Sequence, residues 1–362
     1  MILSSNDSPN GQITLPKDNP KQPKKASIPK PATVAITSLE QEDDTTNESQ
    51  KLRPSRLDDL IGQHNIVKQL KLIIDSCLIR QKMPEHILFY GQPGLGKTTL
   101  ASLIASEVHA KFKLITAPSL QKVGDIVGIL LSLEPNTVLF IDEIHRLKAP
   151  LEETLYSAME DNRVDIVMGK GNGANTLSME VHPFVLVGAT TQLGKLSKPL
   201  KDRFPTIFQL ESYNFSDMTM LINRSCAIIG LRLTDDAIAI VCDRCRGVPR
   251  IANNILKRLL DFQIVSNINE LDVDVVGSFF EDLGIHGGGL TRSDIAYLQS
   301  LQNNSLGLKT LASILQEDSD TVELVIEPYL LHLGLIDKTI SGRSLTIKGK
   351  QLVIKIGQES SK

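Results

Sequence analysis

Read for apolar spacing alone, the chain changes character several times. Residues 1–51 are mostly Ser, Asn, Pro, Lys, Asp and Glu, with few large apolar side chains. Such a stretch cannot bury enough surface to offset its ordering entropy, which predicts a disordered tail. Between 57 and 82, Leu60, Ile61, Val67, Leu70, Ile73 and Ile74 recur at helical intervals. Short apolar runs follow, each of strand length: His86-Ile-Leu-Phe-Tyr90, Thr137-Val-Leu-Phe-Ile141 and Phe184-Val-Leu-Val187. A helix over 98–108 separates the first two, with Leu100, Leu103 and Ile104 on its apolar face. Buried strands alternating with helices predict an α/β domain with a parallel sheet and a ligand at the strand C-termini.

Residues 164–181 alternate apolar and polar positions and carry Gly169, Gly171 and Gly173, the pattern of a projecting β-hairpin. From 217 to 283 the spacing is helical throughout, and Gly287-Gly-Gly289 then reads as a linker. The remainder reads helix, helix, helix and two short strands around Gly342, an order that suits a winged-helix module. The predicted division is a tail over 1–51, an α/β domain over 52–210, a helical domain over 211–283 and a winged-helix domain over 284–362.

Composition narrows the function classes. No apolar run approaches the ~18 residues needed to span a bilayer, and no secretory signal pattern opens the chain. A cytoplasmic location is the expectation. A net charge of −3 means that any nucleic-acid contact must rest on locally clustered cations. Trp is absent, which disfavours base-stacking platforms. Of the four cysteines, only Cys242 and Cys245 are close, and one such pair without a second is a weak zinc signal. Buried thiols are expected, without disulfides. The tail carries a mostly basic stretch at 17–25 and an acidic one at 40–48, either solvated or a docking arm.

The chemistry concentrates in one loop. Gly91-Gln-Pro-Gly-Leu-Gly-Lys-Thr98 fits G-x-x-x-x-G-K-T, with a strand before it and a helix after it. Glycines let backbone N–H groups curl around phosphates, and the helix N-terminus adds its positive dipole end. Lys97 is then expected to reach the β- and γ-phosphates and the Thr98 hydroxyl to hold Mg²⁺. Asp142 and Glu143 end a buried strand, where two acids need a cation nearby. Asp142 is the expected Mg²⁺ partner and Glu143 the base or orienter of the attacking water. Thr190 or Thr191, ending the next strand, is expected to sense the γ-phosphate. Arg203 lies a short distance beyond, where one protomer can offer it to a neighbour's phosphate. Arg250 opens an amphipathic helix of the helical domain and is placed to report the phosphate state.

Together these residues resemble the AAA+ ATPases, and more narrowly the RuvB family of Holliday-junction branch-migration motors. The Val138-Leu-Phe-Ile-Asp-Glu-Ile-His-Arg-Leu147, Leu155-Tyr-Ser-Ala-Met-Glu-Asp161 and Arg246-Gly-Val-Pro-Arg-Ile-Ala-Asn253 stretches carry the likeness, with the Gly-Lys-Gly hairpin. The resemblance implies a hexameric ring that draws duplex DNA by ATP-driven steps, with RuvA and RuvC as partners. It implies phosphate and Mg²⁺ contacts from Gly94, Gly96, Lys97, Thr98 and Thr99. Leu52, Arg53 and Tyr213 would lie by the adenine and ribose. Glu160, Asp161 and Asn162 join the nucleotide contacts, Arg203 is the finger and Arg250 the second sensor. Hairpin 165–180 would dock on RuvA, leaving Ile166, Val167, Met168, Leu177 and Met179 half exposed; a hairpin packed on its own domain is the other reading. A clamp-loader-like machine or protein remodeller is the alternative function, disfavoured by the hairpin and the winged-helix tail.

Some positions depart from the family pattern. The finger motif has Lys201 where Arg is usual and Pro205 where Gly is usual. The wing reads Lys338-Thr-Ile-Ser-Gly-Arg343, so Lys338 and Arg343 remain as DNA-binding candidates and a third basic position is lost at Ser341. Each phosphate-contacting cation adds about one unit to the salt slope of binding, so weakened DNA contact is expected.

Overall fold

A computed structural model describes residues 52–168 and 175–359, which form one compact unit. The expected disordered tail, with its basic and acidic stretches, lies outside the described residues, as does the hairpin tip.

The first element with regular hydrogen bonding is a 3-10 turn at Leu57–Asp59, followed by α1 (His64–Arg80). The periodicity suggested one helix from residue 57. Gly62 and Gln63 both take left-handed φ values, 76° and 50°, and break it. At Gly62 any side chain is excluded, because a Cβ there would fall 2.6 Å from the Tyr213 ring. Leu60 and Ile61 are thereby freed from the helix and face a cavity.

The α/β part continues with β1 (Ile87–Tyr90), α2 (Lys97–Glu107), β2 (Lys111–Thr116), α3 (Val123–Leu131), β3 (Thr137–Asp142) and α4 (Ala149–Asp161). The antiparallel pair β4 (Arg163–Met168) and β5 (Asn175–Glu180) projects next, before β6 (Phe184–Thr190), α5 (Lys198–Asp202) and β7 (Thr206–Gln209). Five strands form one parallel sheet in the order β2-β3-β6-β1-β7. Alternate residues serve its two faces. Phe89, Phe140 and Val187 join one core, and Leu88, Leu139 and Leu186 the other. Burial on both faces is why these strands read as unbroken apolar runs. The outer strands β2 and β7 are not among the runs recognised in the sequence. They lie at the sheet edges, where Leu114 and Ile207 remain half exposed.

Four helices follow: α6 (Phe215–Ile229), α7 (Asp235–Arg244), α8 (Pro249–Ser266) and α9 (Val273–Leu283). Side-chain caps from Asn214, Thr234 and Asp272 start three of them. Their apolar faces merge with the Phe89 side of the sheet in one continuous core, which fixes the bundle beside the strand ends.

The expected linker at Gly287–Gly289 is instead a tight turn joining two short strands, β8 (Ile285–His286) and β9 (Leu290–Thr291). It is held by the Gly288 N–H on the Asp243 carboxylate and by the Tyr329 hydroxyl donating to the Gly288 carbonyl at 2.6 Å. The last part holds α10 (Arg292–Ser300), α11 (Leu308–Leu315), α12 (Ser319–Thr321), a π-turn at Val322–Ile326 and α13 (Glu327–His332). The wing strands β10 (Ile336–Thr339) and β11 (Gly342–Leu345) come next. A further helix beyond the expected pattern, α14 (Ile347–Glu359), packs Val353 into this third core.

No helix among the described residues is long and apolar enough to cross a membrane. The four cysteines are buried free thiols, and burial pushes Cys245 up to about 12.

Candidate nucleotide site

The loop after β1 turns through Gly91, Gly94 and Gly96, at φ 145°, 79° and 100°, and delivers Lys97 to the start of α2. A Cβ on Gly94 would meet Val248 Cγ1 at 2.7 Å and Arg250 Cβ at 2.9 Å. The loop therefore lies directly against the turn that opens α8. The Arg250 N–H donates to the Gly94 carbonyl at 3.4 Å, tying the two together.

Lys97 is buried, and its ammonium donates to the carbonyls of Gly91 and Gln92, each at 2.8 Å. Burial lowers its pKa to about 8; the charges of Asp142 and Glu143 pull it back up, while Arg250 pushes it down. Lys97 and Arg250 thus converge on one cavity, and a bound polyanion would relieve both the desolvation and the like charge.

That cavity lies between the sheet domain and the bundle. Gly94, Gly96, Thr98 and Thr99 line it from the loop, Asp142 and Glu143 from the end of β3. Leu52, Arg53 and Tyr213 close another side, and Arg250 the bundle side. The segment carrying Leu52 and Arg53 is anchored across the bundle: the Arg224 guanidinium donates to the Asp59 carbonyl at 2.6 Å, and Gln63 and Glu211 exchange hydrogen bonds. Asn253 and Lys257 also line the cavity and were not singled out in the sequence. Their signal is helical spacing from Arg250, at three and seven residues along the same face of α8.

Thr190 and Thr191 separate cleanly. Thr190 is buried, and its hydroxyl is engaged with His145 Nδ1 and the Gln192 N–H, both at 2.9 Å. Thr191 is exposed and lines the cavity beside Asp142 and Glu143. The Asp142 carboxylate accepts the Glu143 N–H at 2.9 Å, and the Glu143 carboxylate pairs with Arg146 at 2.9 Å.

Arg203, Glu160, Asp161 and Asn162 do not line this chain's own cavity. They gather elsewhere, at the C-terminal end of α4. Arg203 pairs with Glu160 at 2.9 Å and stacks over the Tyr156 ring at 4.4 Å, while Asp161 pairs with Arg163. As residues of one isolated pocket these four are out of place; they form a separate surface of the same domain.

Between residues 52 and 354 the chain matches three family models in succession. They are the Holliday junction DNA helicase RuvB P-loop domain over 52–210, the RuvB AAA lid domain over 213–286 and the RuvB C-terminal winged helix domain over 287–354. The chain belongs to the RuvB family. It is 42% identical over 346 residues to the Holliday junction branch migration complex subunit RuvB of Synechococcus sp. (strain CC9311), covering 93% of this chain and 96% of that one. The Campylobacter hominis protein of the same name is 42% identical over 321 residues, covering 88% and 94%. The solved structure of the Thermotoga maritima RuvB Holliday junction branch migration motor superposes with a TM-score of 0.75 at 38% identity, covering 84% of this chain and 99% of that one. The fold is accordingly an AAA+ P-loop core with a helical lid and a winged-helix domain, and the protein is a nucleotide-binding ATPase of that family.

Two family features take specific forms here. At the hairpin, Val164 and Val181 bury its base, Met179 packs on the sheet-domain core and Leu177 stays half exposed. The side chains of Ile166, Val167 and Met168 lie outside the described residues. In the wing, Lys338 and Arg343 face each other across β10 and β11. Both turn inward on Glu327, which is wholly buried. Burial alone would raise the Glu327 carboxyl, but hydrogen bonds from Arg343 and Lys338 outweigh it and hold it below the usual range. The Tyr297 hydroxyl completes the cluster at 3.1 Å.

Proposed function

We propose that the protein is one sector of a ring-shaped, ATP-driven motor that moves Holliday junctions, with each ATP site completed by a neighbouring subunit. The observation that carries this reading is the separation of the site residues into two surfaces. Lys97, Asp142, Glu143 and Thr191 meet in one cavity, while Arg203 and Glu160 lie outside it on the same domain. A finger arginine that cannot reach its own chain's cavity is suited to a neighbour's.

In this reading Gly94, Gly96, Lys97, Thr98 and Thr99 cradle the phosphates with the loop's N–H groups and the start of α2. Lys97 gives up its loop carbonyls for phosphate oxygens. Leu52, Arg53 and Tyr213 hold the base and ribose. The Thr98 hydroxyl and the Asp142 carboxylate are hard oxygen donors that fit Mg²⁺, whose role is to neutralise charge on the phosphate oxygens. Glu143 leaves Arg146 to orient the attacking water. Thr191 is the threonine placed to contact the γ-phosphate; Thr190 supports it from below through His145. Arg250 couples the phosphates to the lid. Arg203 of the neighbour stabilises charge on the transferred group, with Glu160, Asp161 and Asn162 beside it.

The substrate in this reading is duplex DNA at a four-way junction in the cytoplasm, held with RuvA docked on hairpin 165–180 and resolved by RuvC. Six subunits would form the ring, with DNA contact through the backbone and no sequence preference. The relatives' names and the winged-helix domain support this over a clamp loader or protein remodeller.

The test is a four-way-junction migration assay with and without RuvA. ATP-dependent migration stimulated by RuvA is expected; ATPase activity without migration would favour the remodelling alternative. Mixed rings test the shared site. Arg203→Ala and Glu143→Gln subunits are each expected to be inactive alone and to regain turnover together.

A further inference from the structure

Beneath Arg203 lies a part-buried polar cluster around one buried carboxylate. Glu152 sits in the first turn of α4 and is 7% exposed. Its Oε2 accepts two hydroxyls, from Tyr156 at 2.9 Å and from Ser197 at 2.6 Å, and the two hydroxyls lie 3.0 Å apart. A carboxylate removed from water in this way is costly unless something holds it. Here the helix N-terminus and the two donors do so.

Each donor controls one end of the finger helix. Ser197 is the N-cap of α5, accepting the Leu200 N–H at 3.3 Å. Arg203 is the residue that ends α5, and its guanidinium lies over the Tyr156 ring at 4.4 Å. Glu152 therefore grips the start of the five-residue helix through Ser197. Through the Tyr156 hydroxyl it also fixes the ring on which the terminal arginine rests. Arg203 itself makes two further contacts, with the Pro199 carbonyl and Glu160. Its Nε is buried with no hydrogen-bond partner among the described residues, so the ring is one of three contacts that set where the guanidinium lies.

We propose that Glu152, acting through Ser197 and Tyr156, is the positioning residue for the Arg203 finger. The cluster does not line the chain's own cavity, and its effect is felt at the neighbouring subunit's site. This rests on the reading of Arg203 as a finger in trans. Displacing a group by about 1 Å from its productive geometry can cost ~10²-fold in rate, so the loss should approach but not reach that of removing the finger.

The experiment compares Glu152→Ala, Glu152→Gln, Tyr156→Phe and Arg203→Ala in DNA-stimulated ATPase assays of the full-length protein. Expected are a kcat loss of about 10–100-fold for Glu152→Ala, a smaller loss for Tyr156→Phe and near-normal turnover for Glu152→Gln, which keeps an acceptor oxygen. ADP affinity should be unchanged in all three. Glu152→Ala added to Arg203→Ala should cost nothing more. Glu152→Ala subunits mixed with Glu143→Gln subunits should regain turnover, because the intact finger then comes from the second subunit. If Glu152→Ala lowers the melting temperature too far to assay, Tyr156→Phe carries the same mixing test. Full turnover in Glu152→Ala and Tyr156→Phe, or loss that mixing does not rescue, would overturn the proposal. If Arg203→Ala itself leaves turnover unchanged, the finger reading fails instead, and the two failures are told apart.

Discussion

Arg343 Nε donates to the carboxylate of Glu327 at 2.8 Å, although Glu327 has no solvent exposure at all. The wing arginine is thus a counter-ion of the module's interior as well as a candidate for DNA. Removing one partner of a buried pair costs about 3–5 kcal/mol when the other charge is left without compensation; here Lys338, 2.6 Å from Glu327, remains and keeps the loss below that range. Arg343→Ala should therefore destabilise the winged-helix domain, seen as an early transition in thermal melts. Lys338→Ala is milder, since Lys338 is more exposed and Arg343 still covers Glu327. If Lys338 also meets phosphate, that variant lowers the salt slope of duplex binding by up to about one unit. An unchanged slope would remove it from the DNA surface.

Lys97 makes nucleotide binding pH-dependent. Burial pushes its pKa down to about 8, and bound phosphate would raise it. Below pH 8 the ammonium is already charged, and Lys97 adds no pH dependence to binding. Above pH 8 binding must take up a proton, so ADP affinity should fall by up to about tenfold per pH unit. Calorimetry at pH 7 and 9, in buffers of different ionisation enthalpy, checks both the weakening and the proton uptake. The linkage to folding has the opposite sense. Between about pH 8 and the ordinary lysine value of 10.5 the unfolded chain holds the extra proton, so the protein measured without added nucleotide gains stability with rising pH, relative to Lys97→Met.

These relationships show what the sequence does and does not disclose. Gly91 to Thr98, Asp142, Glu143 and the central strands were legible, because a loop motif and doubly buried strands leave unbroken signatures. Edge strands β2 and β7 were not, since one open side mixes their pattern; Lys111-Phe-Lys-Leu alternates in a way that loops also do. The choice between Thr190 and Thr191 turns on which side chain faces His145, and adjacent residues of one type look alike in one dimension. The pairing of Lys338 and Arg343 with Glu327 spans eleven and sixteen residues and has no periodicity to reveal it. Glu152 was hidden for the same reason: its partner Ser197 is 45 residues away.

Gly94→Ala tests the contact between the phosphate loop and the lid. The new methyl would fall 2.7 Å from Val248 and 2.9 Å from Arg250, on a residue already at φ 79°. Something must move, either the loop or the turn at Val248. ATP turnover should fall by at least about tenfold, the scale of a 1.4 kcal/mol misfit. Protection of the Arg250 amide from hydrogen exchange should fall with it. Retained protection together with lost turnover would place the damage in the loop alone.

His86 sets an acid limit on the fold. Its Nδ1 accepts the Leu186 N–H at 2.9 Å, which requires that nitrogen to be unprotonated, and Nε2 faces the Met159 carbonyl at 3.3 Å. Both bonds are met by one neutral tautomer, with the proton on Nε2. Burial lowers the His86 pKa below its ordinary 6.5; the Met159 carbonyl and the charge of Glu85 only partly oppose this. Below pH 6.5 the unfolded chain gains a proton that the folded chain resists. The stability contributed by neutral His86 is therefore complete above 6.5 and lost as pH falls through the depressed folded value. His86→Gln keeps a donor and an acceptor but cannot titrate. It should melt lower than the parent at pH 7.5 and lose less than the parent on going to pH 5. An equal loss in both proteins would assign the acid sensitivity to another group.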